Sequence, residues 1–547
     1  MKSQTFDIIN RKTIPKYIII AAAVFISWFP ALYIPFINDD YQILGYNSGK
    51  TFLSIFKSFW TPDVSYYYWR PLGNIIHPAI LLIAGFEPFP FRFVSLLIYI
   101  FCCIVILYVS TKINLNIKLS LFLTVFFCIL PSHEFQIAWI ADQGESLLAA
   151  LLLLSFISYY FVLEGKSNSK RTLIYFLLFF IASLLVKELA FIGFLIPLVA
   201  YLAKTEKGGI KFKEILKHIF IAFGVLCLVL LYRFIVIGGS PFNSPNFSNS
   251  GPITWIKNYF IYIPLAFLPP KVLEIVYDNL HNWLVAISLF LASILAIYLI
   301  LYAFKRLDKD KKNLVLAGFA WFTIFIIPAL PKLMRWYVFT ASIGLIWSLA
   351  CILEFYWEKL NVRKVVKVIA IPIFIFLIIY DFLLMQQWVS AGNKFKESLA
   401  SLEKIKSEIK TDSVFVWCVP DKLNRVPMMK LGVQQSIQWI LHNKDLEIFS
   451  PLRAELTNDT SKILLKQNSD SVYIFHLYGG RFLPIGGKSE AVIEKEFISF
   501  NNQNVEFNIN TYIKNSEPQS IAVVKLKPHY LHLTQLYYNG NIFEKIK

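Results

Sequence analysis

The feature that most limits what this chain can become is a succession of long apolar runs separated by short basic loops. About eleven runs have the length and composition of a membrane-crossing helix: 17–37, 91–111, 117–132, 144–163, 172–187, 188–204, 214–237, 283–304, 313–330, 335–355 and 365–385. A hydrocarbon core about 30 Å thick calls for roughly 20 apolar residues per helix. Only a helix or a closed barrel satisfies its backbone inside that core. Composition agrees, since 56% of the 547 residues are apolar and only 16% are charged, against roughly 25% charged in a soluble domain. The expected class is a polytopic α-helical membrane protein; a disordered chain and a single soluble domain are excluded.

The formal net charge of +18 would ordinarily raise nucleic acid as a partner. Its location argues otherwise. From Trp388 onward the chain carries 20 Lys and Arg against 16 Asp and Glu, so most of the excess lies between apolar runs. Loops 1–16, 111–118, 164–171, 204–217, 305–312 and 356–367 hold 23 Lys and Arg together, whereas the loops of the opposite side hold about eight over a greater length. Basic residues are retained on the cytoplasmic side, so the N-terminus is expected there, the C-terminal region outside, and no nucleic acid bound. The first run is too long for a signal-peptide core and leads into Asn38-Asp39-Asp40, so it reads as a retained span. The run 255–270 ends in Pro-Pro and would break the alternation if it crossed; it is expected to lie at the outer interface or re-enter.

Two domains are expected: a transmembrane domain over 1–388, with a first outer loop at 38–90, and a small extracytoplasmic α/β domain over 389–547. Phe395, Leu399, Leu402, Ile405 and Ile409 recur at helical spacing where the second begins. Short β-rich runs follow at 414–419, 471–477 and 521–526, with a helical stretch at 428–441 between them. The six cysteines are scattered, and none forms a CxxC or Cys/His metal spacing.

The loops assigned to the outer side carry polar residues that are costly to bury at membrane depth. Asn38-Asp39-Asp40 follows the first run. Arg70-Pro71-Leu72 follows the aromatic cluster Tyr66-Tyr67-Tyr68, with His77 shortly after. His133, Gln136, Asp142 and Glu145 lie in a loop without Lys or Arg; Asp142 and Glu145, three apart, share a helix face. Lys187-Glu188 sits between two apolar runs, and Arg335-Trp336-Tyr337 precedes another. Each cluster alone also reads as a solvated helix end or an interfacial anchor. The charge pattern puts all of them on one side, where carboxylates could accept a proton and cations could hold a phosphate.

In order and side, these elements resemble the GT-C superfamily of membrane glycosyltransferases, which includes protein O-mannosyltransferases and aminoarabinose transferases, in its bacterial form. The resemblance covers roughly residues 15–390. It implies inverting transfer of a sugar from a polyprenyl-phosphate donor to a lipid, glycan or protein acceptor on the outer (periplasmic) face of a bacterial cytoplasmic membrane. Asp39 or Asp40 would be the catalytic base, with Asp39 preferred. Arg70, Lys187 and Arg335 would meet the lipid phosphate. His77, His133, Gln136, Asp142, Glu145, Glu188 and Tyr337 would line the cleft. No cofactor is expected to be obligatory, although a divalent metal could sit at Asp39/Asp40. Gln143-Gly144 stands where related chains often carry an Arg before the glutamate. The alternatives are a transporter or flippase of a lipid-linked substrate, an O-antigen ligase- or polymerase-like envelope enzyme, and a non-catalytic scaffold. The absence of an internal repeat and the one-sided polar residues weigh against the transporter.

Overall fold

The computed structural model describes residues 13–47, 51–61, 69–164, 169–204, 211–237, 251–279, 282–359, 363–409, 411–485, 491–493, 497–514 and 517–546. The aromatic cluster at 66–68 lies outside them. Every apolar run read from the sequence contains a helix. Seven helices are long and apolar enough to cross a membrane, or eight if the bent pair Ile117–Cys128 and Pro131–Ala138, 54° apart, is one span. That is the count among the described residues, where about eleven were expected; the run 283–304 also forms one helix, Trp283–Arg306, of 24 residues. Three other expected runs are interrupted or short. Pro131 interrupts one run. The helix Ser169–Leu184 has only 16 residues, and the next run starts as a 3-10 helix, Glu188–Leu195, becoming α-helical at Ile196.

Contacts divide the chain into two compact units. One comprises 1–32, 50–85 and 90–384; the other comprises 33–49, 86–89 and 385–547. The start of the expected first outer loop therefore belongs with the C-terminal region rather than with the helices.

In the first unit the spans Ile140–Val162 and Arg335–Trp357 are 83% buried, whereas Phe212–Ile237 is only 17% buried. The first two are central. The last turns Phe220, Leu228 and Ile235 outward, a face that hydrocarbon would solvate and water would not. The helices Lys309–Ile326 and Val338–Lys359 cross at two glycines. A Cβ on Gly344 would lie 2.2 Å from the Gly318 carbonyl oxygen, so the backbones touch because neither residue has a side chain. The helix Pro252–Phe267, from the run expected at the interface, has 16 residues. It is pinned by Asn258 Nδ2 donating to the Leu330 carbonyl (2.7 Å) and by the Met334 amide donating to Tyr262 Oη (2.8 Å), with Ile253, Ile256 and Phe260 left exposed.

The second unit is dominated by sheet, more so than the expected α/β balance. A six-stranded antiparallel sheet runs in the order Lys462–Ser469, Val472–Tyr478, Glu517–Leu526, Val505–Lys514, Phe497–Asn501, Ala491–Ile493. A second sheet places Ser413–Trp417 between Thr534–Tyr538 and Glu447–Phe449, parallel to both. A third, small sheet joins Val419–Leu423 in parallel to Leu452–Leu456. The helical stretch read at 428–441 is the single helix Val433–Ile440. Phe395, Leu399 and Leu402 are buried along the end of the helix Arg363–Lys404, as their spacing requires, and Val414, Val416 and Trp417 are buried as well.

Candidate active site

In the first unit, the polar residues read from the sequence meet where several spans begin or end. Asp142 immediately precedes the helix Gln143–Val162, and Glu145 lies in its first turn. Lys187 stands in extended conformation at the break before Glu188–Leu195. Its ammonium is 2.9 Å from Asp142 Oδ1 and 2.7 Å from Glu145 Oε2, all three side chains being at most 7% exposed. It also lies 5.0 Å from the centre of the Tyr337 ring, a cation–π contact. The remaining oxygens face donors too. Gln136 Nε2 donates to Asp142 Oδ2 (2.9 Å), and Thr340 Oγ1 donates to Glu145 Oε1 (2.7 Å). Gln136 Nε2 also reaches the Trp336 carbonyl at 3.1 Å. Two carboxylates taken out of water need this degree of pairing.

Next along the chain, Glu188 receives two guanidiniums. Arg70 donates to Glu188 Oε2 through Nη2 (2.6 Å) and Nε (2.9 Å). Arg233 Nη1 lies 3.1 Å from Glu188 Oε1. Arg70 is presented by the helix beginning at Pro71, which is tied down where the Leu72 amide donates to the Leu185 carbonyl (3.0 Å). Gly73 packs against the Val186 carbonyl; a Cβ there would be 3.1 Å from it. Arg233 comes from near the end of Phe212–Ile237, beside Tyr232, which packs on Trp69 at 5.4 Å. Two carboxylates thus meet one ammonium at Lys187, and two guanidiniums meet one carboxylate at Glu188.

The other expected residues fall elsewhere. Arg335 pairs with Glu134 and lies over the Phe135 ring, so its charge is committed there. His77 Nε2 contacts the Ile140 carbonyl at 3.1 Å. His133 is fully buried, its Nδ1 2.8 Å from Tyr99 Oη, with the rings of Phe127 and Phe339 at 4.4 and 4.8 Å. Both histidines hold the packing around the loop rather than join the charged network. Lys187, expected at a phosphate, has its ammonium held by two carboxylates instead.

Asp39 and Asp40 belong to the second unit. Asp40 opens the helix Asp40–Asn47, is fully buried, and accepts the Ile37 amide at Oδ2 (3.0 Å). Asp39 is half-buried and takes a longer contact of 3.3 Å from Asn38 Nδ2. Asn38 adopts a left-handed φ of 57°. Its amide donates to the Met428 carbonyl (2.7 Å), and its Oδ1 accepts the Leu431 amide (2.8 Å). The acidic pair is thus held by residues almost 400 positions away. For a divalent ion the fit is poor. Among the described residues no three His, Cys, Asp or Glu side chains come close enough together to hold a metal, and Asp40 already spends one oxygen on a backbone amide.

Sequence reasoning missed Arg233, Thr340 and Asp381. Arg233 and Asp381 carried a usable signal, a lone charge inside an apolar run. Asp381 is fully buried, and neither of its carboxylate oxygens finds a hydrogen-bond partner among the described residues. Thr340 carried no such signal.

Several solved structures resemble this chain, two of which are these. One is the oligosaccharyltransferase of Archaeoglobus fulgidus, crystallised with a tethered acceptor peptide (TM-score 0.43, 11% identity, 82% of this chain and 64% of that one). The other is ArnT of Cupriavidus metallidurans bound to undecaprenyl phosphate (TM-score 0.41, 11% identity, 82% of this chain and 94% of that one). The chain therefore spans less than two thirds of the length of the archaeal protein. No protein-family model and no curated protein matches the sequence. Likeness of this degree fixes no activity for the chain.

Proposed function

We propose that this protein is an inverting glycosyltransferase that moves a sugar from a polyprenyl-phosphate donor to an acceptor at the outer face of the membrane. The observation that carries the reading is the pair of guanidiniums on Glu188. Arg70 and Arg233 converge on one carboxylate in a largely water-excluded site at the ends of spans. A phosphate monoester or diester anchored by a lipid tail is the ligand such a site suits, because bidentate guanidinium contacts to phosphate are strong and oriented.

In the reaction, the acceptor oxygen or nitrogen bonds to the anomeric carbon of the sugar as the bond from that carbon to the phosphate oxygen breaks. The electron pair stays on the lipid phosphate, where Arg70 and Arg233 stabilise the charge. The acceptor proton passes to a carboxylate, for which Asp39 is the better candidate, since Asp40 is buried and accepts the Ile37 amide. Asp142 and Glu145 are the poorer candidates, all four of their oxygens facing donors. The phosphate leaves already charged, so a metal is not required for its departure. The cytoplasmic N-terminus and the periplasmic C-terminal region are part of the same proposal.

The test is donor turnover in nanodiscs with a panel of labelled polyprenyl-phosphate sugars and candidate acceptors. Wild type should release polyprenyl phosphate. Asp39→Asn should lose about 10²- to 10⁴-fold, the usual contribution of a general base, without a change in thermal stability. Equal turnover by the variant would remove Asp39 from the mechanism.

A further inference from the structure

The span Pro88–Lys112 carries a stripe of exposed apolar side chains. Phe89, Phe93, Leu97 and Phe101 recur every four residues along one side of it, and all four are exposed, as a lipid-facing surface requires. The exposed stretch begins before the helix does. Leu82, Ile83 and Phe86 are also exposed, Ile83 at 88% and Phe86 at 40%, a density of apolar surface that marks a contact with something other than water. Phe86 belongs to the second unit, and there its ring lies 4.2 Å from that of Trp439, on the helix Val433–Ile440. We propose that Phe86 and Trp439 form an anchor embedded in the phospholipid interface, through which the bilayer holds the helix Val433–Ile440 at headgroup depth.

Covalent connection sets the depth. The span has 25 residues, about 37 Å of helix, against a hydrocarbon core of about 30 Å. Its first turn therefore lies in the interfacial layer, and Phe86 stands two residues before it. Glu87, exposed and next to Phe86, sets the same limit from the other direction, because a carboxylate is costly in the core. A ring stacked on Phe86 shares that depth. Trp suits it best, being a large apolar ring with one N–H for a headgroup or water. Lys430 and Lys444, both exposed, flank the helix, as lysines do beside interfacial aromatics. The anchor also bears on the acidic pair. The helix begins directly after Gly432, where a Cβ would lie 3.3 Å from the Asp39 Cα. Under the glycosyltransferase reading this holds the proposed base at the depth of a lipid phosphate; the anchor itself does not rest on that reading.

The experiment reads depth by fluorescence quenching of the full-length chain in phosphatidylcholine nanodiscs, with neither donor nor acceptor. Cys227, the exposed cysteine, is changed to Ser. A bimane is then attached at Gln435→Cys, one turn before Trp439 on the same side of the helix. A nitroxide on the lipid headgroup should quench it several-fold more than a nitroxide deep in the acyl chain. Adding Phe86→Asp and Trp439→Asp should remove most of that quenching and raise quenching by aqueous iodide. Trp439→Tyr, which keeps an interfacial ring, should retain the headgroup quenching, and this comparison stands even where the aspartate variant does not fold. Quenching by iodide alone in the labelled parent would put the helix in water and overturn the proposal. Stronger quenching by the deep nitroxide, or protection from all three quenchers, would put it in the core or under protein and overturn it equally. None of these results bears on transfer, which the Asp39→Asn experiment decides.

Discussion

At the scale of single residues, the charged network makes uneven demands. Arg233 is almost fully buried, with its charge resting on Glu188. Arg233→Ala should therefore destabilise the folded protein, toward the about 3–5 kcal/mol seen when a buried pair is broken, as read by thermal unfolding in detergent. Arg70, 21% exposed, should cost less stability when changed to Ala but should weaken donor binding. In the C-terminal region, burial pushes the Glu455 carboxyl up, but hydrogen bonds and charge from Arg481 and Lys422 outweigh it and hold it below its ordinary value. A carboxyl depressed in the folded state adds stability above its unfolded pKa, about 4.3, and loses it as pH falls through the folded value. The melting temperatures of wild type and Glu455→Gln should therefore differ at pH 7 and converge in that acid range. Sequence alone singled out Asp142, Glu145, Lys187 and Glu188, because charge is conspicuous in apolar surroundings. It could not tell which cation each carboxylate takes, since Lys187 to Asp142 spans 45 positions and Arg70 to Glu188 spans 118.

At the scale of elements, helices were legible because the apolar runs are long and the basic loops mark their ends. Their continuity was less so. The break at Lys187, where the chain must deliver a charged side chain, is legible as a boundary between two apolar runs, whereas the one at Pro131 falls within the run 117–132. The strands of the six-stranded sheet were mostly missed for the opposite reason. Lys462–Ser469 has mainly exposed residues, and Val505–Lys514 alternates only in its first half, so neither forms a run of apolar residues. The glycine crossing of Lys309–Ile326 and Val338–Lys359 gives a prediction at this scale. Gly344→Ala places a methyl group against backbone that cannot rotate away, and should lower the melting temperature through a cost of about 1–3 kcal/mol. Gly224→Ala, where a Cβ meets nothing within 4 Å, is the control and should be silent.

At the scale of the whole molecule, contacts divide the chain between Leu384 and Met385, and the second unit also takes in 33–49 and 86–89. No local pattern announces that exchange, because it rests on backbone hydrogen bonds such as Asn38 to Met428. Gly432 tests it. Its φ is +70°, and a Cβ would lie 2.9 Å from the Asn38 carbonyl oxygen. Gly432→Ala should therefore displace Asp39 and reduce transfer. The same contact also sets an order of assembly. Asn38 leaves the ribosome early, whereas Leu431, its hydrogen-bond partner, is 393 positions later. During synthesis the helices can be inserted one after another while the acidic pair still lacks its support. A chain truncated before Met428 by a nonsense codon or an arrested ribosome would sit in the membrane with Asp39 unpositioned, and only a chain translated beyond that point can complete the loop.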